Sequence, residues 1–249
     1  MSFFSTLEAR ATAIDSLLCV GLDPHPSDLP AQTREAVVAF CVRLIDATKD
    51  VALAYKPNIA FFEAVGAEGH LALEDVIAHI PDGIPVLLDN KRGDIGSTAE
   101  AYAKATFETL GAHCMTASPY LGSDSLAPFL KDPARGCFVL CKTSNPSSSE
   151  LQSLPLAAAA SSSESKEGGS GGEPQLLYEK VATLMTELNT NDNVGLVVGA
   201  TDIEVRFGEI GERWWAAGRG WGWWGWELLM IAVEVDGIHF CRVSVRRMP

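Results

Sequence analysis

Apolar residues gather in six short runs, at positions 17–22, 51–56, 84–89, 112–117, 137–142 and 194–199. Each is short and largely apolar on both faces, and together they include several β-branched residues, the pattern of strands buried inside a parallel sheet. Stretches with helical period lie between them. Residues 31–48 place Val37, Val38, Cys41, Leu44 and Ile45 on one stripe. Residues 98–110 and 176–188 behave similarly, with Ser97 or Thr98 available to cap the former. Strand alternating with helix implies right-handed βαβ units and a parallel sheet. The spacing suits a (β/α) barrel at least as well as a doubly wound sheet, and periodicity alone does not choose between them.

Two segments break this rhythm. Residues 156–174 (LAAAASSSESKEGGSGGEP) are Ala/Ser/Gly-rich without an apolar period, the composition of a flexible surface insertion. Their GGSGG lacks the Lys-Ser/Thr that completes a phosphate loop. The second break begins near Val205. All six tryptophans (Trp214, Trp215, Trp221, Trp223, Trp224, Trp226) fall within thirteen residues. Lysine does not occur after Lys180. Of 19 basic and 32 acidic side chains, six and five lie in residues 205–249, so net charge changes from −14 before that point to +1 after it. Residues 228–235 and 238–245 flank Asp236-Gly237, a hairpin signal. Residues 1–204 therefore form the expected domain, and 205–249 an atypical, irregular Trp/Gly-rich tail.

Composition narrows the function classes. With 249 residues, 47% of them hydrophobic and 20% charged, the chain is long and apolar enough to bury a core. A net charge of −13 disfavours nucleic acid and anionic membranes as partners. No apolar run reaches the ~18 residues of a membrane helix, and Glu8, Arg10 and Asp15 interrupt the N-terminal stretch where a signal peptide would be apolar. The six cysteines form no CxxC pair. Cys137 and Cys141 would lie ~13 Å apart along one strand, too far to bridge. Buried free thiols in a reducing, cytoplasmic setting are the expectation.

The chemistry concentrates at strand ends. Asp89-Asn90-Lys91-Arg92-Gly93-Asp94 directly follows the third apolar run, and Asp89 and Lys91, two apart on a strand, share a face. At the C-terminal end of a barrel strand that face is the active-site mouth. Gly93 and Gly96 let the chain turn and return Asp94 toward the same space. Lys56 ends the second run and Asp23 the first, so three consecutive strands end in charge. Any one of these residues could be a helix cap or a surface ion partner; the set is harder to explain that way.

Residues 87–103 (LLDNKRGDIGSTAEAYA) closely resemble the third-strand motif of one subgroup of orotidine 5′-phosphate decarboxylases. Residues 18–24, 54–63, 116–126 (TASPYLGSDSL), 141–146 (CKTSNP) and 194–202 (VGLVVGATD) match as well, so the resemblance covers roughly residues 1–204 apart from the insertion. It implies a homodimeric TIM (β/α)8-type barrel that converts orotidine 5′-monophosphate to UMP and CO2 without metal or organic cofactor. Lys91 is then the ammonium that stabilises and protonates the C6 carbanion, and Asp89 lies near the departing carboxylate. Lys56 and Asp94 complete an alternating array, with Asp94 and Thr98 reaching in from the partner subunit. Asp23 binds ribose hydroxyls and Ser118 the pyrimidine edge; Asn58 either contacts substrate or holds backbone.

The family's later segments, APG(V/I)GAQGG on strand seven and a strand-eight Arg that grips the phosphate, do not occur here. The expectation is therefore an incomplete barrel of about six βα units, with the first and sixth strands lacking neighbours and activity impaired. The abrupt change near Glu204 is what a retained intron or shifted frame would produce; the alternative is a genuine lineage-specific ending whose Trp cluster packs over the open barrel. Two rivals remain: a non-catalytic, mis-spliced or truncated product that dimerises with an intact subunit, and a related metal-dependent sugar-phosphate enzyme.

Overall fold

The computed structural model describes residues 1–157 and 174–199 in full and, in backbone alone, 226–235 and 238–247. Most of the 156–174 insertion and residues 205–225, including all tryptophans but Trp226, lie outside the described residues. The elements run α1 (Phe3–Ile14), β1 (Leu18–Leu22), α2 (Arg34–Thr48), β2 (Ala52–Pro57), α3 (Ile59–Glu63), α4 (Ala67–His79), β3 (Leu87–Arg92), α5 (Gly96–Lys104), β4 (Cys114–Ala117), α6 (Ser123–Leu130), β5 (Gly136–Lys142), α7 (Leu177–Leu188), β6 (Val194–Val198), β7 (Trp226–Val235) and β8 (Ile238–Arg247). This is an α/β fold of the TIM-barrel kind. All six apolar runs are strands, shifted by at most three residues at their ends, because their two-sided hydrophobicity is buried on both faces.

The helical stripe of α2 buries Val37, Cys41 and Ile45 against β1 and β2, with Thr33 Oγ1 capping the N–H of Ala36. Glu179 closes the start of α7 by accepting the N–H of Leu176. The start of α5 differs from expectation. It begins at Gly96, ahead of Ser97 and Thr98, with Ile95 in the cap position and no side-chain cap. Gly96 takes φ +53°, a turn that glycine makes without steric cost, and this starts the helix early. The helix ends in a wider π turn over Ala105–Thr109.

The strand order is β2-β1-β8-β7-β6-β5-β4-β3, and bridges Tyr55↔Val86 and Asn58↔Asp89 link β2 to β3. The expectation that strands one and six lack neighbours, beside an irregular tail, is corrected in the backbone. β7 runs parallel to β6, pairing Leu196↔Leu229 and Val197↔Met230. β8 runs antiparallel to β1, pairing Cys19↔Cys241 and Val20↔Phe240. The unpaired N–H and C=O groups of two strand edges need partners, and the hairpin, in register from Val235↔Ile238, provides them. Asp236 and Gly237 themselves lie outside the described residues. The sheet is thus not wholly parallel, since a tight hairpin can only return its second strand antiparallel.

Two outer clusters pack strands against helices, one around Tyr55 and Phe62, the other around Phe129 and Leu196. A third, inner cluster joins Cys19, Ala54, Leu87, Cys114 and Phe138 to Phe3, Phe4 and Leu7 of α1. Helix α1 therefore plugs the N-terminal end of the strands. Arg10 holds it there by donating to the carbonyls of Ala52 and Leu53.

Candidate active site

The inner cluster fixes which side chains face the lumen. Strand residues two apart share a face. One step beyond Leu87 comes Asp89, then Lys91; beyond Cys114 come Thr116 and Ser118; beyond Cys19 come Gly21 and Asp23. The second strand places Lys56 and Asn58 after Ala54 in the same way. An apolar floor is thus followed, at the C-terminal end, by a polar layer.

Three sequence-identified residues meet there. Lys91 Nζ lies 2.7 Å from Asp89 Oδ1, and Lys56 Nζ lies 3.6 Å from Asp89 Oδ2. The side chains of Lys56 and Asp89 are 7% and 10% exposed, whereas that of Lys91 is 50% exposed. One ammonium is buried behind the carboxylate and the other stands at the mouth. Burial pushes the Asp89 carboxyl up, but the charges of Lys56 and Lys91, with hydrogen bonds from Lys91 and Thr116, outweigh it. The carboxyl is held below the ordinary range.

Lys91 has φ 43°, a left-handed conformation that costs a non-glycine residue about 1–3 kcal/mol and that clusters at functional sites. The β3–β4 register shifts between Leu88 and Arg92, so this residue sits on an irregularity. Its backbone N–H donates to Thr116 Oγ1 at 2.8 Å, and Thr116 Oγ1 donates to Asp89 Oδ1 at 2.8 Å. Thr116 was not singled out from sequence, although its same-face spacing from Ser118 could have found it. Asn90, on the opposite face, donates to Thr106 Oγ1 in the π turn.

The other candidates are placed more loosely. One oxygen of Asp23 is shielded from solvent and has no hydrogen-bond partner among the described residues. Asn58 Oδ1 accepts the N–H of Ala60 and caps α3, so this group holds backbone. Ser118 donates its N–H to the Arg92 carbonyl and accepts from Tyr120, and Gly93 packs so closely on Ser118 that a Cβ would come within 3.1 Å. Asp94 Oδ1 accepts the N–H of Ile95; among the described residues Asp94 makes no ion pair, so the structure does not bring it to the lysines. Thr98 is exposed on the first turn of α5. A further buried lysine, Lys142 at the end of β5, donates to Ser148 at 2.6 Å. Among the described residues no three His, Cys, Asp or Glu side chains gather as metal ligands.

An α/β fold of the TIM-barrel kind that presents paired ammonium and carboxylate groups at its strand ends has the arrangement of a barrel enzyme's active site. The comparisons narrow it. A model of the orotidine 5′-phosphate decarboxylase / HUMPS family matches residues 16–217. The orotidine 5′-phosphate decarboxylase of Roseiflexus castenholzii is 51% identical over 205 residues, which cover 81% of this chain and 70% of that one. The solved Leishmania donovani OMP decarboxylase is 47% identical with a TM-score of 0.73, covering 93% of this chain and 79% of that one. The L. donovani UMP synthase is 53% identical with a TM-score of 0.69; the match covers 81% of this chain but spans only 40% of that longer protein. This chain belongs to the orotidine 5′-phosphate decarboxylase family, and by family it is a carboxy-lyase of UMP biosynthesis.

Proposed function

We propose that this chain decarboxylates orotidine 5′-monophosphate to UMP and CO2, with Lys91 as proton donor. The observation that carries this reading is the convergence of Lys56, Asp89 and Lys91 at the lumen's C-terminal end. Loss of CO2 leaves an electron pair at C6 of the pyrimidine. A fixed ammonium beside it stabilises that charge most strongly in a water-poor site. Lys91 then transfers its proton to C6 and is reprotonated from solvent. Asp89 keeps Lys91 charged, and its own charge disfavours the substrate carboxylate in the ground state. Lys56 in turn keeps Asp89 ionised. The unpartnered oxygen of Asp23 is suited to accept from ribose hydroxyls, and Ser118, two residues beyond Thr116, faces the pyrimidine edge. Asn58 acts through the backbone of α3.

The finer reading of the fold and assembly rests on the same chemistry. Residues 1–204 form the catalytic unit, and the hairpin completes a closed eight-stranded barrel; the pairings of β6 with β7 and β8 with β1 support this. The active form is a cytoplasmic homodimer in which Asp94 and Thr98 act across the interface. That Asp94 makes no ion pair with Lys56 or Lys91 of its own chain supports that arrangement. It also favours a second reading, in which a chain lacking the family's phosphate-gripping segments turns over slowly but completes the site of an intact partner.

The test is direct: incubate the purified chain with orotidine 5′-monophosphate and follow UMP by NMR. Turnover that disappears in Lys91→Ala supports the assignment. Undiminished turnover in that variant would falsify it.

A further inference from the structure

We propose that Thr116 is a positioning residue for this reaction, using one hydroxyl to fix both the carboxylate of Asp89 and the backbone of Lys91. The inference rests on the roles just given to Asp89 and Lys91. Thr116 is 2% exposed on β4, and 27 and 25 residues separate it from its two partners. The direction of both hydrogen bonds is set by chemistry alone. A backbone N–H can only donate, so Thr116 Oγ1 accepts from Lys91. An ionised carboxylate can only accept, so the single hydroxyl proton goes to Asp89 Oδ1.

Each bond has a separate consequence. Asp89 Oδ1 receives both Thr116 and the Lys91 ammonium, at 2.8 and 2.7 Å, so the carboxylate cannot rotate freely about its last torsion. Its other oxygen is thereby turned toward Lys56 Nζ. The second bond supports the left-handed backbone of Lys91. With φ 43° on a register shift, that N–H leaves the strand ladder and meets the threonine hydroxyl instead. A residue in a sparsely populated conformation persists only where its surroundings hold it. Without the hydroxyl, Lys91 would relax toward ordinary strand geometry and its ammonium would swing away from the reacting carbon.

The test compares Thr116→Val, which keeps shape and removes the hydroxyl, with Thr116→Ser, which keeps the hydroxyl. The expected result is a kcat lowered about ten- to hundredfold in T116V with KM changed less than about threefold, the signature of misplaced catalytic groups. T116S retains kcat within about threefold. Titration of the Asp89 carboxyl by carbon-13 NMR gives a readout that does not depend on turnover: its midpoint rises in T116V, which lacks a donor to the charged form, and stays in T116S. Wild-type kcat in T116V, or an equal loss in T116S, overturns the proposal. If the wild-type chain fails to turn over orotidine 5′-monophosphate, the functional reading falls, and an Asp89 midpoint unmoved by T116V overturns the role of Thr116 separately. Should T116V not fold, Thr116→Ala replaces it under the same criteria.

Discussion

At the scale of single residues, Asp89 is the group on which the site turns. It is buried between two ammonium groups, and either lysine alone would leave a less well compensated charge in the lumen. Asp89→Asn should destabilise the fold by about 3 kcal/mol at pH 7, since removing one partner of a buried pair leaves the other uncompensated. The sign of its pH dependence follows from a folded pKa below the unfolded one. The stabilisation is complete above the unfolded value of about 3.9 and is lost as pH falls through the folded value. Urea denaturation should therefore show a constant gap between wild type and Asp89→Asn from pH 5 to 8, as a rough window, that closes in stronger acid. A gap that widens on acidification would contradict the assignment. Lys91→Ala should lower turnover by at least about a thousandfold while leaving the fold intact, because it removes the proposed proton donor and carbanion-stabilising charge. Burial places the thiols of Cys41, Cys137 and Cys141 at about 12, and that of Cys114 well above its ordinary value. Iodoacetamide at about pH 8 should leave all four unlabelled in the native protein and label them in urea, as peptide mapping would show.

At the scale of elements, the plug helix and the strands it seals are fitted without spare volume. Gly136 and Gly195 lie under aromatic rings: a Cβ on Gly136 would come within 2.3 Å of Phe3, and one on Gly195 within 2.6 Å of Phe138 and 3.1 Å of Phe4. Phe4 and Phe138 also meet edge to face at 5.7 Å. Gly195→Ala should cost about 1–3 kcal/mol through overpacking, seen as a lower thermal midpoint with kcat nearly unchanged, because the floor lies below the catalytic layer. This packing could not be read from the sequence. The helical period along the chain does not mark α1, α3, α4 or α6, and α5 begins ahead of the residues that could cap it. Strands, by contrast, were legible to within a few residues, since two-sided burial leaves an unbroken apolar run whatever the neighbour.

At the scale of the whole molecule, the C-terminal hairpin decides whether the sheet has open edges. Deleting everything after Gly199 would leave β1 paired only with β2 and β6 only with β5, each with one open edge. The shortened chain should aggregate or melt far below the full one, as light scattering during thermal unfolding would reveal. Equal melting would mean that the hairpin contributes nothing. The proposed homodimer makes a second demand. Chains carrying Lys91→Ala and chains carrying Asp94→Ala, each inactive alone, should recover about one quarter of wild-type activity when mixed, since half the dimers combine them and each such dimer has one intact site of two. No recovery would place Asp94 within its own chain's chemistry or outside the reaction.

The sequence by itself determined the alternation of strand and helix, and the placement of Asp23, Lys56, Asp89 and Lys91 at strand ends. Those are local facts: hydrophobic period and same-face spacing depend only on neighbours along the chain. What the tertiary structure decided depends on groups distant in sequence. It brought Thr116 to Asp89 and Lys91, gave Lys91 its left-handed backbone, and turned the Asn58 amide into a cap. It also set the chain's last strand antiparallel beside its first. Hydrogen bonds across a barrel require a partner at the right height on another strand, and register between strands is settled only when the whole sheet forms.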